Sequence, residues 1–469
     1  MNNIVFWGTG ERCRRLLDKW KLYGEKPDYL CDNNKDNCDG FIYGIPVISP
    51  DELYNINNLI IIIACNAADA IKKQIEQMKI KVISVLTGPY FDNIDNLALL
   101  YRSKKLFTKE IKKNTCVMDF NYGTTLGGVQ TWCYSQAGIL RELGISGYYL
   151  MPDNYMSDCP NDDFEVKIAR VNTITQTDNY VDSYIREILQ ISPEYVICNF
   201  PREIFLAMII VKKIFLKNMK IIAVMHNDES IYYDTYFKSD EYIDRYIVIS
   251  TKMKKRLIEK GVKEEKIKMV QWRIGTEDLS NRQYLDENKN LRLGYAGRIV
   301  IIQKRIDLVL RVAEKLINDG VKFTLDIVGN GESDDYLLKE ISDKNLGDYV
   351  NFCGLLKHDE IKNFWMQHDI YLSCSDYEGH SISQYEAMAC GVVPVVTDVS
   401  GTEDDIVNGY NGYIAPVEDY NMIAQHIKDI SNHTELLSIM GKRSVDMIDE
   451  RNILVDESGL WRDILDGGN

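Results

Sequence analysis

The chain has 469 residues, with 55 Lys and Arg against 70 Asp and Glu, a formal net charge of −15. That length calls for two or three domains, and an apolar fraction of 45% with a charged fraction of 27% is that of a soluble globular protein. The acidic balance excludes general nucleic-acid binding, and no apolar run reaches the length of a membrane span.

The N-terminus carries no signal-peptide pattern. The eleven cysteines are scattered, with no Cys-x-x-Cys pair, and read as reduced thiols of a cytoplasmic protein.

The first block runs over residues 1–100. A strand over 3–7, the turn Gly8-Thr9-Gly10, a helix over 11–23 and a second strand ending in Cys31-Asp32-Asn33 come first. A buried strand over 58–64, a helix and a strand over 81–86 follow. Strand and helix alternate, which predicts a small parallel α/β domain. Gly8 and Gly10 are followed by Cys13 in place of a third glycine, and Asp32 lies about twenty residues on, a partial dinucleotide fingerprint. Gly8, Gly10 and Asp32 are therefore a candidate nucleotide-like site, and an NAD-type ligand and a plain scaffold both stay open. No Tyr-x-x-x-Lys pair is visible in the block.

Residues 101–114 form a basic linker. The second block, 115–287, opens with a strand over 116–120, the loop 121–128 with Gly127-Gly128, and a helix over 129–143. Strands recur over 194–200, 220–226 and 246–250, and His226 ends the middle one. Residues 209–220 (IIVKKIFLKNMK) are either a half-buried helix leading into that strand or a basic amphipathic surface for peripheral membrane contact. A glycine pair lets the backbone approach a ligand closely. A strand-end histidine can donate from one nitrogen and accept at the other.

The third block, 288–450, again alternates strand and helix. Gly297-Arg298 ends a strand, Lys304-Arg305-Ile306-Asp307 opens a helix, and Val328-Gly329-Asn330-Gly331-Glu332 follows a second strand. A strand over 350–354 (VNFCG) includes Cys353, and Gly409-Tyr410-Asn411-Gly412 forms a late turn. Between them, a strand over 369–375, a helix over 381–390 and a strand over 392–397 frame Glu378 and Glu386. The helix starts between the two carboxylates, and its unpaired N–H groups suit a phosphate. Eight residues at helical rise span on the order of 12 Å, the reach of a sugar-diphosphate-ribose. Asp162-Asp163 and Asp404-Asp405 read as solvated turns rather than a metal site. A last helix over 451–465, within a terminal segment 451–469, is expected to cross back onto the second block.

Taken in register, these motifs resemble those of retaining glycosyltransferases of the large family 4, with its Glu-x7-Glu signature, from about Thr115 to the C-terminus. The resemblance implies an α/β GT-B fold of two facing Rossmann-like domains, an acceptor-side domain (115–287) and a donor domain (288–450), whose closure aligns the substrates. The small N-terminal domain resembles nucleotide-binding-like domains fused to bacterial surface-sugar enzymes.

The implied reaction needs no metal and no cofactor. It moves a sugar from a UDP- or GDP-sugar to a glycan, a lipid-linked sugar or a protein, in the cytoplasm or at the inner face of the membrane. Residue by residue, the resemblance puts Glu378 at the transferred sugar and His226 beside it, as the catalytic pair. Arg298 and Lys304 would neutralise the pyrophosphate, and Glu386 would meet the ribose. Gly127 and Gly128, the loop Gly329-Asn330-Gly331, Cys353, and the run Gly379-His380-Ser381-Ile382 would complete the donor site. The Arg298–Lys304 spacing is one residue longer than the family's commonest form, so residues 299–303 are expected to bulge. Gln271-Trp272-Arg273-Ile274-Gly275 stands where members often carry a Pro-Asn-Gly turn. Two other readings remain: a catalytically silent GT-B partner protein, and an epimerase or oxidoreductase led by the N-terminal domain.

Overall fold

The computed structural model describes residues 3–22, 26–65, 67–86, 110–120, 128–152, 164–169, 181–270, 272–285 and 289–466. The chain divides into two compact units, residues 1–124 with 146–221, and residues 125–145 with 222–469.

In the first unit, β1 (Asn3–Trp7), β2 (Tyr29–Cys31), β3 (Phe41–Ile42), β4 (Ile45–Ile48), β5 (Leu59–Ile63) and β6 (Val82–Leu86) form a sheet in the order β3-β4-β2-β1-β5-β6. All pairs are parallel except the β3-β4 hairpin. The run LIIII of β5 is buried throughout, as expected of a parallel strand covered on both faces. Strand order reverses at β1 and β5, which puts the Gly8-Thr9-Gly10 loop at a topological switch point. Gly8 has φ +118°, and a Cβ there would meet the Cys65 Cβ at 2.9 Å, so only glycine fits.

The same unit holds β7 (Lys112–Asp119), β8 (Ser146–Pro152), β9 (Glu165–Ala169) and β10 (Pro193–Cys198), paired in parallel as β10-β7-β8-β9. The sequence does not signal β8 or β9. Gly147 in β8 has no side chain because the Phe164 ring fills the place of its Cβ, and that glycine interrupts the apolar pattern. Residues 209–220 are not one amphipathic helix. Helix Glu203–Ile214 ends inside the segment and a strand begins at Lys220. Ile209, Ile210, Val211, Leu216 and Met219 are all buried, as in a half-buried helix that leads into a core strand.

The division between the units passes through β11 (Lys220–Met225), which pairs in parallel with β12 (Arg245–Val248), and β12 with β13 (Ile267–Met269). The second unit also contains β14 (Leu291–Ala296), β15 (Phe323–Val328), β16 (Val350–Gly354), β17 (Ile370–Ser373), β18 (Val393–Thr397) and β19 (Tyr413–Ala415). Their order, β16-β15-β14-β17-β18-β19, is the doubly wound one, and every pair is parallel. Leu293, Leu325, Ile370 and Val395 pack against helix Ile306–Asn318 through Val309 and Val312 in one continuous core.

The chain's end differs from expectation. Arg451 belongs to the last turn of helix Glu435–Leu454, and a separate helix, Glu457–Asp466, follows. Asp456 explains the break: its carboxylate accepts the Gly459 N–H at 2.8 Å and caps the new helix. That last helix packs on helix Gly128–Glu142, where Trp461 donates its indole N–H to the buried Gln136 at 2.6 Å.

Candidate functional site

The site gathers at the carboxyl ends of β14, β15, β17 and β11, all in the second unit. After β17 the chain turns through Asp376 to His380, and helix Ile382–Ala389 begins with Ser381 as its N-cap. Glu378 thus precedes the helix and Glu386 lies in its second turn. The Ser381 hydroxyl is 3.1 Å from the Tyr371 hydroxyl, which holds the loop against β17.

Lys304 reaches this loop. Its ammonium lies 2.6 Å from a Glu378 carboxylate oxygen, with both side chains largely buried. Burial works against the ammonium, but the Glu378 charge, the neighbouring Tyr371 and the hydrogen bond outweigh it, and the Lys304 pKa stands above its ordinary value. Arg298 is exposed at the end of β14 and donates to the Gln303 side-chain oxygen. Gln303 in turn donates to the Tyr377 carbonyl at 3.3 Å and accepts the Asp376 N–H at 2.9 Å through its own backbone. The longer loop therefore folds back onto the Glu378 segment. Ile299 and Gln303 are buried in it, and Ile302 is exposed. Arg305 sits at φ 49° and bridges Asp376 and Asp307.

Two of the expected glycine positions are fixed by backbone crowding. A Cβ on Gly329 would stand 1.8 Å from the Gly297 carbonyl oxygen, and one on Gly331 2.3 Å from that of Ile299. The loops after β14 and β15 are also hydrogen-bonded to each other, Ile299 N–H to the Asn330 carbonyl at 3.0 Å. Asn330 is exposed on this pair of loops. Cys353 lies exposed on β16, and partial burial of its thiol together with the Asp326 charge raises its pKa.

His226 follows β11 and is buried. Its carbonyl touches the segment that follows Glu378: a Cβ on Gly379 would stand 1.9 Å from that oxygen. The Trp132 ring meets the imidazole edge-on at 5.0 Å. Burial lowers the His226 pKa to about 3, so the ring is neutral at physiological pH. Gly128 opens helix Gly128–Glu142 with its Cα side facing Ile382, whose Cδ1 lies 3.2 Å from where a Cβ would be. Gly127, the loop 121–125, residues 153–163 with Asp162-Asp163, and most of the basic linker lie outside the described residues.

His380 is tied into the protein on both ring nitrogens. Nδ1 is 2.7 Å from the Ile249 carbonyl and Nε2 is 2.6 Å from the Asp405 carboxylate. Asp405 also accepts from Arg451 at 3.0 Å, and Arg451 lies 3.9 Å over the Tyr385 ring. The sequence places Asp405 in a solvated turn; it is instead a buried acceptor, because His380 and Arg451 come from distant parts of the chain. Asp404 caps helix Thr251–Glu259 by accepting the Thr251 N–H at 2.9 Å.

Glu386 lines a pocket of about 370 Å³ along one flank of helix Ile382–Ala389. Trp132, Trp272 and Glu457 line it too. Burial raises the Glu386 pKa to about 7. Sequence reasoning misses Trp132 and Glu457, and it marks Trp272 only as a departure. No local motif signals these three, which meet through the tertiary fold.

In the N-terminal sheet, Asp32 accepts from the Thr9 hydroxyl and from the Asn34 N–H, the latter at 2.9 Å. Gly10 has open space where its Cβ would be. Among the described residues, no group of three or more His, Cys, Asp or Glu could hold a metal ion, and no helix is long and apolar enough to cross a membrane.

Residues 277–446 match the family of glycosyl transferases group 1. The matched segment holds Arg298, Lys304, Glu378 and Glu386. A curated relative, the UDP-N-acetylglucosamine–peptide N-acetylglucosaminyltransferase GtfA subunit of Streptococcus gordonii, is 27% identical over 203 residues, 42% of this chain and 38% of the relative. The chain thus spans well under half the length of that relative. Among solved structures, a Staphylococcus aureus TarM mutant in complex with fondaparinux, alpha-GlcNAc-glycerol and UDP superposes with a TM-score of 0.63 at 15% identity, over 76% of this chain and 99% of that one. The pneumococcal O-GlcNAc transferase GtfA in complex with UDP and GlcNAc gives a TM-score of 0.60 at 14% identity, over 75% of this chain and 98% of that one. The fold is of the GT-B type.

Proposed function

We propose that this protein is a retaining glycosyltransferase that moves a sugar from a UDP-sugar to a bacterial glycoconjugate acceptor. The observation that carries the reading is the Lys304–Glu378 pair at the N-terminus of helix Ile382–Ala389. A buried cation, an exposed arginine on the adjoining loop and unpaired helix N–H groups together supply positive charge for a departing diphosphate. Glu378 faces the transferred sugar as an electrostatic and positioning group, and the neutral His226 contacts it from β11. Glu386 accepts from the ribose diol. Gly128 and Gly379-His380-Ser381-Ile382 line the phosphate path. Gly329-Asn330-Gly331 and Cys353 lie toward the base. Residues 115–287 serve the acceptor and 288–450 the donor.

The relative's use of UDP-N-acetylglucosamine and of a peptide, and the UDP in both structural neighbours, support a UDP donor. They make an N-acetylhexosamine transferred to a protein or polymer hydroxyl the first acceptor class to test. Lys304 and Arg298 take the role a metal would otherwise have, so we expect transfer to continue in the presence of a chelator.

The test is a nucleotide-sugar panel scored for diphosphate release, with Glu378→Ala and Arg298→Ala beside the wild type. Release from one donor that vanishes in both variants supports the transferase. A folded protein that binds no donor would sink this reading, and nicotinamide binding in its place would favour an oxidoreductase led by the N-terminal domain.

A further inference from the structure

We propose that Asp405 is a positioning residue for the transfer step: it acts through His380 to fix the segment that carries Glu378, and the His380 imidazole itself does not touch the donor. The inference rests on the donor-site reading for its purpose, while the clamp stands on its own contacts. His380 lies two residues after Glu378 and is buried. Nδ1 is 2.7 Å from the Ile249 carbonyl, which can only accept, so Nδ1 carries a proton. Nε2 is 2.6 Å from the Asp405 carboxylate. The Tyr385 hydroxyl lies 3.0 Å from Nδ1, and a Cβ on Gly401 would stand 2.8 Å from the ring's Cδ2. Neither nitrogen is left for a sugar or a phosphate. The run Gly379-His380-Ser381-Ile382 therefore meets the donor through its backbone, and the imidazole points into the protein.

The two partners of His380 are tied to each other. Ile249 follows β12, and Asp405 ends the short helix Thr402–Asp405. The Ser250 and Ser400 hydroxyls stand 2.6 Å apart, and Asp404 accepts the Thr251 N–H at 2.9 Å. Residues 249–251, residues 400–405 and His380 thus hold one another in a closed circuit of contacts. Arg451 backs Asp405 from helix Glu435–Leu454 by donating to its carboxylate at 3.0 Å, and the Asn411 side chain donates to its carbonyl at 2.9 Å. Asp405 is the fixed end of the clamp.

The segment needs such a hold on this side. Before Glu378 the chain is gripped by Gln303, which donates to the Tyr377 carbonyl at 3.3 Å, and Glu378 itself meets Lys304 at 2.6 Å. After Glu378 comes Gly379, which has no side chain to anchor and whose backbone is free to rotate. His380 supplies the anchor one residue later. An apolar side chain could fill the same volume, but two hydrogen bonds on different edges of the ring also set its rotation. Transfer depends on sub-ångström placement of the carboxylate and of the N–H groups at the helix start. Holding His380 holds both.

The experiment measures kcat and KM for diphosphate release in wild type, His380→Ala, Asp405→Ser, Asp405→Asn and the double variant His380→Ala with Asp405→Ser. Melting curves confirm that each is folded at the assay temperature. Amide hydrogen exchange over residues 376–382 is read alongside by mass spectrometry. His380→Ala and Asp405→Ser are each expected to lower kcat by about tenfold and to leave KM within about threefold, with faster exchange over 376–382. The double variant should lose no more than His380→Ala alone, because Asp405 acts through that ring. Asp405→Asn keeps an oxygen for Arg451 and offers an N–H to Nε2, so it should recover most of the kcat lost in Asp405→Ser.

A folded His380→Ala with the wild-type kcat would overturn the inference, as would losses in kcat that add in the double variant. A raised KM with kcat unchanged would mean that the imidazole touches the donor, and would overturn it too. A wild type that turns over no donor leaves hydrogen exchange to decide. Faster exchange in both single variants, no faster in the double and slowed again in Asp405→Asn, would then keep the clamp while the donor-site reading fails. Exchange that stays at the wild-type rate in every variant would sink the clamp.

Discussion

The Lys304 ammonium and the Glu378 carboxylate stand 2.6 Å apart with 15% and 8% of their side-chain surfaces exposed. Each side chain is the other's main compensation for burial. Lys304→Met leaves Glu378 without its cation and is expected to cost ~3 kcal/mol of stability. The double variant Lys304→Met with Glu378→Gln is expected to regain most of that loss, because no uncompensated charge remains. Urea unfolding of wild type, single and double variants checks this. Diphosphate release should fall by at least about a hundredfold in all the variants, since the charge facing the leaving group is gone.

Gly379 and His226 meet backbone to backbone. A Cβ at Gly379 would stand only 1.9 Å from the His226 carbonyl oxygen, so Gly379→Ala cannot be absorbed by a side-chain shift. The loop or the end of β11 has to move. We expect a loss of ~2 kcal/mol or more by thermal unfolding, with donor affinity falling in parallel. Gly128→Ala is the control: its neighbour is the flexible tip of Ile382 at 3.2 Å, and its stability should change by less than about 1 kcal/mol.

Much of this arrangement is legible in the chain. The sequence predicts β1 over its observed span, and the helix bearing Glu386 within a residue at each end, because buried parallel strands read as unbroken apolar runs and the helix between them has a clear start. The positions Gly329, Gly331 and Gly379 are also visible, but not their cause. A glycine required by a carbonyl from another loop looks the same in sequence as one required by a ligand. Asp405 misleads for a related reason. An Asp-Asp pair in a short turn suggests solvent, and only the fold brings His380 and Arg451 to it. β8 escapes because Gly147 and two tyrosines blur its alternation.

His226 and Glu386 should give stability opposite slopes with pH. Burial holds the folded His226 pKa at about 3, below its ordinary value of 6.5. The unfolded chain therefore binds the extra proton between these values. His226's contribution is fully present above about pH 6.5 and is lost as pH falls toward 3. Glu386 is the reverse case, with a folded pKa of about 7 against an ordinary 4.5. Its contribution is present below about pH 4.5 and is lost as pH rises through 7. His226→Gln should therefore flatten the acid side of a stability-against-pH curve. Glu386→Gln should flatten the fall toward neutrality and raise stability at pH 8 relative to wild type. Melting temperatures measured at half-unit steps from pH 4 to 8 test both signs.

Arg451 joins three elements through one guanidinium. It donates to Asp405 at 3.0 Å, to the Trp272 carbonyl at 3.4 Å, and lies 3.9 Å over the Tyr385 ring. A lysine at this position keeps the charge but cannot make the forked contact or stack flat on the ring. Arg451→Lys is expected to cost about 1–2 kcal/mol, and Arg451→Met more, near ~3 kcal/mol, because the buried Asp405 would lose its guanidinium. The Trp272 segment is held by this same arginine, so the loss should propagate to the pocket that Trp272 lines. Denaturant titration measures the first effect. The second would show as a shifted tryptophan emission maximum in Arg451→Lys at a temperature where the variant remains folded. An unchanged emission maximum there would mean that Asn452, which holds Ile274 through two hydrogen bonds of 3.2 and 2.7 Å, suffices to place the segment.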